Sequence, residues 1–65
     1  MGKSRMLSVQ YDEVAEEVET GWWLTIDGKD YYFPQKSCMI DMEECIIEAP
    51  QWMVANNGLD LYVIE

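Results

Sequence analysis

The chain has 65 residues, of which 13 are acidic, four are basic and none is histidine, so its net charge is −9. A surface this negative repels phosphate backbones and anionic membranes, which argues against direct nucleic-acid or membrane binding and favours basic partners. An apolar fraction of 49% with eight aromatic residues nevertheless exceeds what acidic disordered segments carry, and it predicts a folded domain.

The length predicts one domain over residues 1–65 with a thin core, because a chain this short buries only about 60% of its unfolded surface. Self-association would remedy a thin core, so a homodimer is one expectation. No apolar run is long enough to span a bilayer or to act as a secretory signal, and we therefore expect a cytoplasmic protein.

The first predicted element is a strand over residues 5–11. Leu7, Val9 and Tyr11 alternate with polar residues, which is the period of a half-buried strand. The sequence therefore predicts that one side of this strand lies against the core.

The next run, residues 12–19, fits two structures. Val14 and Val18 are four apart, as on one side of a helix, but Val14, Glu16 and Val18 also alternate as on a strand. We favour a strand with a bulge near residues 12–13, where the apolar positions change parity, and the helix stays open as the alternative.

A β-hairpin is predicted in the middle of the chain. Residues 22–26 are rich in aromatic and β-branched side chains, and residues 31–33 return as the partner strand. Asp27 and Gly28 supply the tolerance of positive φ that a tight hairpin turn requires. Pro34 lacks a backbone donor and is expected to end the second strand or to mark a sheet edge.

The second half is purely anionic, with six acids and no base in residues 37–65. Residues 35–43 are predicted to be an irregular connection that carries Met39 and Ile40 inward, and residues 44–48 are predicted to form a short strand.

A two-turn helix is predicted over residues 50–57. Pro50 suits the first helical position and Gly58 the residue just past the end. One apolar face is expected from residues spaced by three and four, namely Trp52, Ala55 and Leu59.

Residues 61–64 are predicted as a last edge strand. The predicted fold is α+β, a small antiparallel, half-barrel-like β-meander of about four to five strands with one short helix.

Two segments carry a resemblance to a known group. In residues 32–37 an aromatic strand end leads into Pro, Lys and Ser, and in residues 47–59 a strand leads into Pro, Trp, a short helix and Gly-Leu. Over about residues 13–59 the chain resembles small acidic proteins of bacteriophages and mobile elements, a group of unassigned function. It departs from that pattern where Gln35 is inserted, Ala49 precedes the proline and Gln51 replaces an acid. The resemblance implies a phage-like origin and the same β-meander with a helix.

Enzyme chemistry is not predicted. A proton-transfer group poised near neutral pH is missing because the chain has no histidine, so we expect no catalytic residues. Cys38 and Cys45 lie seven apart without a second pair, which does not fit zinc spacing, and no calcium-loop pattern is present. We expect no metal and no cofactor. Free thiols are favoured for the two cysteines, with a disulfide as the alternative.

Trp22 and Trp23 are candidate contact residues. Adjacent residues on a strand face opposite ways, so both tryptophans cannot enter one core face. One of them is expected in a second layer, under a terminal segment or at a partner interface.

The acids are the other candidates for contact with a partner. Carboxylates two apart on a strand are separated by roughly 6–7 Å, on the order of the phosphate spacing along a nucleic-acid strand. The candidate residues are Glu13, Glu16, Glu17, Glu19, Asp41, Glu43, Glu44 and Glu48. Two interpretations stay open: the acids imitate a phosphate track, or they keep a small apolar-rich protein in solution.

The leading hypothesis is a phage-type accessory protein that binds a basic surface of a host protein in the host cytoplasm and inhibits or redirects it. Expected targets are nucleic-acid-binding machines, such as a defence nuclease with its guide complex (an anti-CRISPR role), a transcription enzyme or a recombination nuclease. The alternative is an assembly module that homo-oligomerises or docks through its aromatic hairpin.

Overall fold

The computed structural model describes residues 5–64, in which six strands, one α-helix and one 3₁₀ helix occur. The elements are β1 (Met6–Gln10), β2 (Glu13–Val18), β3 (Gly21–Ile26), β4 (Lys29–Pro34), β5 (Met39–Asp41), β6 (Ile46–Pro50), α1 (Gln51–Asn56) and the 3₁₀ helix Asp60–Tyr62. The predicted class, antiparallel β with one short helix, is confirmed. The strand number was underestimated, because β5 had been assigned to an irregular connection.

The strands form two antiparallel sheets of three strands each, with the orders β2-β3-β4 and β1-β6-β5. The first sheet is a meander, as predicted, since its strands follow one another along the chain. The second sheet is not, because β1 pairs with β6 from the other end of the chain. The two sheets therefore depend on pairings both local and distant in sequence.

The chain passes from one sheet to the other at Tyr11 and Asp12. The Tyr11 amide donates to the Cys45 carbonyl at 2.9 Å, and the Asp12 amide donates to the Thr25 carbonyl of β3 at 2.7 Å. The change of apolar parity near residues 12–13 is thus a change of sheet, which is one way that two-sheet proteins form a corner. The prediction of a bulge there was wrong.

Residues 13–18 form a strand, as favoured, and the helix alternative is wrong. The strand β2 has a bulge at Ala15, because its register with β3 shifts between Val14 and Glu16. The extra residue leaves Ala15 exposed and without a partner opposite it.

One core lies between the sheets. Its buried members come from both sheets, from the loops that contain Tyr11 and Cys38, from α1 and from the segment after α1. They are Val9, Tyr11, Leu24, Ile26, Phe33, Cys38, Ile47, Ala49, Met53, Val54 and Leu59. Because residues of both sheets share this cluster, the sheets pack inner face to inner face. Their outer faces therefore point away from each other.

The predicted hairpin turn is confirmed. Asp27 and Gly28 both have positive φ, at 52° and 85°, as a two-residue hairpin loop requires. The Asp27 amide also donates to a carboxylate oxygen of Asp12 at 3.0 Å, which ties the turn to the corner between the sheets.

The helix α1 ends as the sequence predicts. Gly58 has a φ of 70°, its amide donates to the Ala55 carbonyl, and the Leu59 amide donates to the Val54 carbonyl. These two bonds form a Schellman motif, which satisfies carbonyls at the end of the helix. In the described residues no helix is long and apolar enough to cross a membrane.

Of the predicted apolar face of α1, Leu59 is buried as expected, but Trp52 and Ala55 are not. Met53 and Val54 are buried, whereas Trp52 is 53% exposed and Ala55 is exposed. With only six residues, α1 follows directly from buried Pro50 at the end of β6, so the exit of that strand sets which side of the helix meets the core.

Two further predictions need correction. Met39 is 67% exposed and only Ile40 turns inward, because both lie on the short strand β5, where neighbours alternate. The predicted strand 61–64 is instead the end of the 3₁₀ helix and a single bridge between Val63 and Val9.

Candidate functional site

An aromatic pair lies on the outer side of the β2-β3-β4 sheet. Trp23 on β3 is directly opposite Tyr32 on β4, with ring centroids 5.4 Å apart and planes tilted by 48°. The Tyr32 hydroxyl hydrogen-bonds to that of Thr20, and Trp23 stays 40% exposed. The pair is therefore held in place while still presenting its surface to solvent.

Carboxylates flank this pair. Glu16 is opposite Trp23 and Glu13 is opposite Thr25, two positions apart on β3, so both acids share the outer side of the sheet. Asp30 lies across from Thr25 and accepts a hydrogen bond of 2.7 Å from its hydroxyl. We call this surface the aromatic face, and its residues are Glu13, Glu16, Trp23, Thr25, Asp30 and Tyr32.

The bulge at Ala15 brings Glu13 and Glu16 onto one side. In a regular strand, residues three apart lie on opposite sides. With one residue unpaired, the register continues so that Val14 lies opposite Leu24, on the core side, and Glu16 lies opposite Trp23, on the outer side. The presence of both glutamates on the aromatic face therefore depends on this irregularity.

The remaining predicted residues of this region lie elsewhere. Trp22 shares the inner side with Leu24 and packs, half-buried, against the core. Glu17 is opposite Trp22 yet exposed, since β2 is an edge strand, and exposed Glu19 follows the end of β2. Of the four candidate acids before residue 20, the structure brings two to the aromatic pair.

The second set of candidate acids belongs to the other sheet. Asp41, Glu43, Glu44 and Glu48 are all exposed. One Asp41 carboxylate oxygen accepts the amides of Glu43 at 3.0 Å and Glu44 at 3.1 Å, which fixes the turn between β5 and β6. Because the two acidic sets lie on different sheets, the single track that the sequence suggested is divided between two surfaces.

An open groove of about 490 Å³ lies on the outer side of the β1-β6-β5 sheet. Its apolar lining is Met39, Ile40, Met42 and Ile46, its acidic rim is Asp41, Glu43 and Glu48, and Ser8 completes it. We call it the methionine groove. Sequence reasoning missed it because Met39 was expected inside; the strand alternation with Ile40 was the signal that could have found it.

The two thiols differ in environment. Both are free, which agrees with the favoured prediction and not with the disulfide. Burial raises the pKa of Cys38 to about 11, and its thiol contacts the Met53 sulfur at 3.7 Å. Cys45 is half-buried and has a φ of 59°, in the turn before β6.

Metal ligation finds no support in residues 5–64, where no three His, Cys, Asp or Glu side chains are grouped so that they could hold an ion. The arrangement instead offers two surfaces on which apolar side chains lie beside carboxylates. Such surfaces can bind a partner that carries both apolar and cationic groups.

The fold and these surfaces define a small acidic two-sheet protein with a short helix. Comparisons with protein-family models, with curated proteins and with solved structures gave no match to this chain.

Proposed function

We propose that the protein is an acidic accessory module that binds a basic surface of a host protein through its aromatic face and inhibits or redirects that protein. The observation that supports this most is the pair of exposed Trp23 and half-buried Tyr32, held in place with Glu13 and Glu16 beside it. The phage-type origin, with action in the host cytoplasm, rests on the sequence resemblance.

The two kinds of side chain have separate roles in this proposal. Tryptophan and tyrosine are enriched among the few residues that supply most of the binding energy at interfaces. Because Thr20 holds the Tyr32 hydroxyl, little side-chain entropy is lost when a partner covers the ring. The carboxylates steer a cationic partner and fix its orientation.

Nucleic-acid mimicry is the form of binding that we favour. Glu13 and Glu16 lie opposite residues two apart on β3, so their backbone positions are separated by roughly 6–7 Å, near the spacing of phosphates. The proposed target is therefore a protein whose basic groove normally binds nucleic acid.

The test is affinity purification from bacterial lysate with tagged wild type and matched variants. We expect the double variant Glu13→Gln/Glu16→Gln and the variant Trp23→Ala to lose the partner, which elutes from wild type as salt rises. Asp60→Asn is the control, since exposed Asp60 lies outside the aromatic face. A partner retained equally by all variants, or indifferent to salt, contradicts the proposal. Competition by nucleic acid then tests mimicry.

An assembly role is the second candidate, favoured by one observation. Trp23 is 40% exposed on a sheet whose strand β4 is an open edge within the described residues. A second copy could cover this surface. Sedimentation over a range of concentrations separates the candidates, because assembly predicts a dimer that Trp23→Ala dissociates, whereas inhibition predicts a monomer.

A further inference from the structure

We infer that the methionine groove is a second docking site, separate from the aromatic face, and that it binds a basic amphipathic segment of a protein. Apolar side chains are exposed in the groove. Met39 and Met42 are 67% and 53% exposed, beside half-buried Ile46. An antiparallel sheet normally directs polar residues to its solvated side, so Met39 and Ile46 lie where polar side chains are expected, and Met42 follows in the turn after β5.

The register brings the acids to the apolar residues. Glu48 on the central strand β6 is opposite Met39 on one side and Ser8 of β1 on the other, and Asp41 is opposite Ile46. A carboxylate therefore lies beside each apolar side chain of the sheet. A segment that inserts an apolar side chain here meets negative charge on its flanks.

Hydrogen bonds to Asp41 define the backbone shape of the turn at the edge of the groove. Asp41 accepts two backbone amides, and Cys45 adopts a positive φ of 59°, so the four-residue loop has a defined shape. The methionine side chains, by contrast, are unbranched and adaptable, and surfaces rich in methionine accept varied apolar partners. A turn of defined backbone shape beside adaptable methionine side chains suits the binding of peptide segments.

Charge complementarity selects the occupant. All charged residues from position 37 onward are acidic, so no base of this half of the chain neutralises the rim. A second copy would bring like charge to the groove, which disfavours it. A segment whose apolar side chains pack on the methionines and whose Lys or Arg residues pair with Asp41, Glu43 and Glu48 complements both the apolar surface and the charge of the groove. The groove volume of about 490 Å³ is within the range of pockets that bind small ligands.

The experiment uses the full chain labelled with ¹³C in its methionine methyl groups, titrated with a synthetic peptide of alternating Leu and Lys blocks. We expect saturable shifts of the Met39 and Met42 signals, while buried Met53 stays unchanged as an internal control. The dissociation constant should rise several-fold as salt increases from low to physiological concentration. Replacing the Leu residues of the peptide by Ser should abolish the shifts.

Matched variants complete the test. Met39→Gln/Met42→Gln, followed by calorimetry because it lacks the two reporter methyl groups, should weaken peptide binding about 10-fold or more. Glu43→Gln/Glu48→Gln should weaken binding and flatten its salt dependence. Trp23→Ala should leave it unchanged, which separates this inference from the proposed function. Shifts that require Trp23, that persist with the Ser peptide, or that arise from protein concentration alone would overturn the inference.

Discussion

The Tyr62 hydroxyl donates a hydrogen bond of 2.6 Å to the Asp27 carboxylate, although the two residues are 35 positions apart. Asp27 belongs to the hairpin turn of one sheet, while Tyr62 ends the 3₁₀ helix next to the strand β1 of the other sheet. This bond joins the carboxyl-terminal segment to the turn. The segment is also bonded to β1, through the Ile64 amide and the Ser8 carbonyl at 2.9 Å.

Removing this hydroxyl should loosen the end of the chain. We expect Tyr62→Phe to speed hydrogen exchange at the Ile64 amide while amides of β3 keep their protection, because local opening costs less than global unfolding. Leu61→Ala is the matched control, since Leu61 is 90% exposed and neighbours Tyr62. Equal exchange at Ile64 in wild type and Tyr62→Phe would show that the hydrogen bond contributes nothing to this docking.

The same hydrogen bond should be detectable in an alkaline titration of Tyr62. The hydrogen bond to Asp27, followed by smaller effects of burial and nearby negative charge, raises the pKa of Tyr62 above its ordinary value. Since the folded-state pKa is the higher one, the stabilisation is complete below the unfolded pKa of about 10 and is lost as pH rises through the folded value. NMR titration of labelled tyrosines measures the pKa of Tyr62 in the folded protein. Asp27→Asn should lower the pKa of Tyr62, and an unchanged midpoint would refute the assignment.

The two cysteines should differ in reactivity. Because burial raises the pKa of Cys38 to about 11, only roughly one molecule in 10³ carries the thiolate at pH 8. We expect an aromatic disulfide reagent to modify the partly accessible Cys45 about 10-fold faster or more. Cys45→Ser should remove the fast phase and Cys38→Ala should retain it; the reverse pattern would contradict the buried position of Cys38.

Gly21 should not tolerate a side chain. A Cβ atom there would lie 2.2 Å from the Phe33 carbonyl oxygen and 2.9 Å from the Pro34 Cα, both backbone atoms of the paired strand β4. The steric clash is removed only if β3 and β4 move apart. We therefore expect Gly21→Ala to lower the free energy of unfolding by about 3 kcal/mol.

Urea denaturation measures this loss, with Gly58→Ala as the comparison. Gly58 has open space around it but a φ of 70°, so alanine there should cost only about 1 kcal/mol from backbone strain. Equal stability of the two variants would mean that β3 and β4 separate more easily at Gly21 than the structure implies.

Local chemistry explains which parts of the fold were predictable. Asp27 and Gly28 determine the hairpin turn and Gly58 determines the helix end, because in each case one or two residues decide a backbone conformation. The inward side of α1 was not predictable from its short pattern. Trp52 and Met53 are both apolar, and only the way in which β6 leads into the helix decides which one is buried.

The candidate site shows the same division. From the sequence came the acidic surface and the requirement that Trp22 and Trp23 face opposite ways. The sequence did not reveal which tryptophan is outside, because strand alternation makes the two sides of β3 equivalent until one of them packs against the core.

Composition and turn residues were enough to specify a small, acidic, β-rich fold with a tight hairpin and a short helix that ends before Gly58, because turn and cap conformations depend on a few neighbouring residues. Three features followed from the folded arrangement alone: β1 pairs with β6, the bulge at Ala15 places Glu13 and Glu16 on one side, and the acids divide between two surfaces. These features depend on pairing between distant segments and on a shared core, whose energies no local pattern contains.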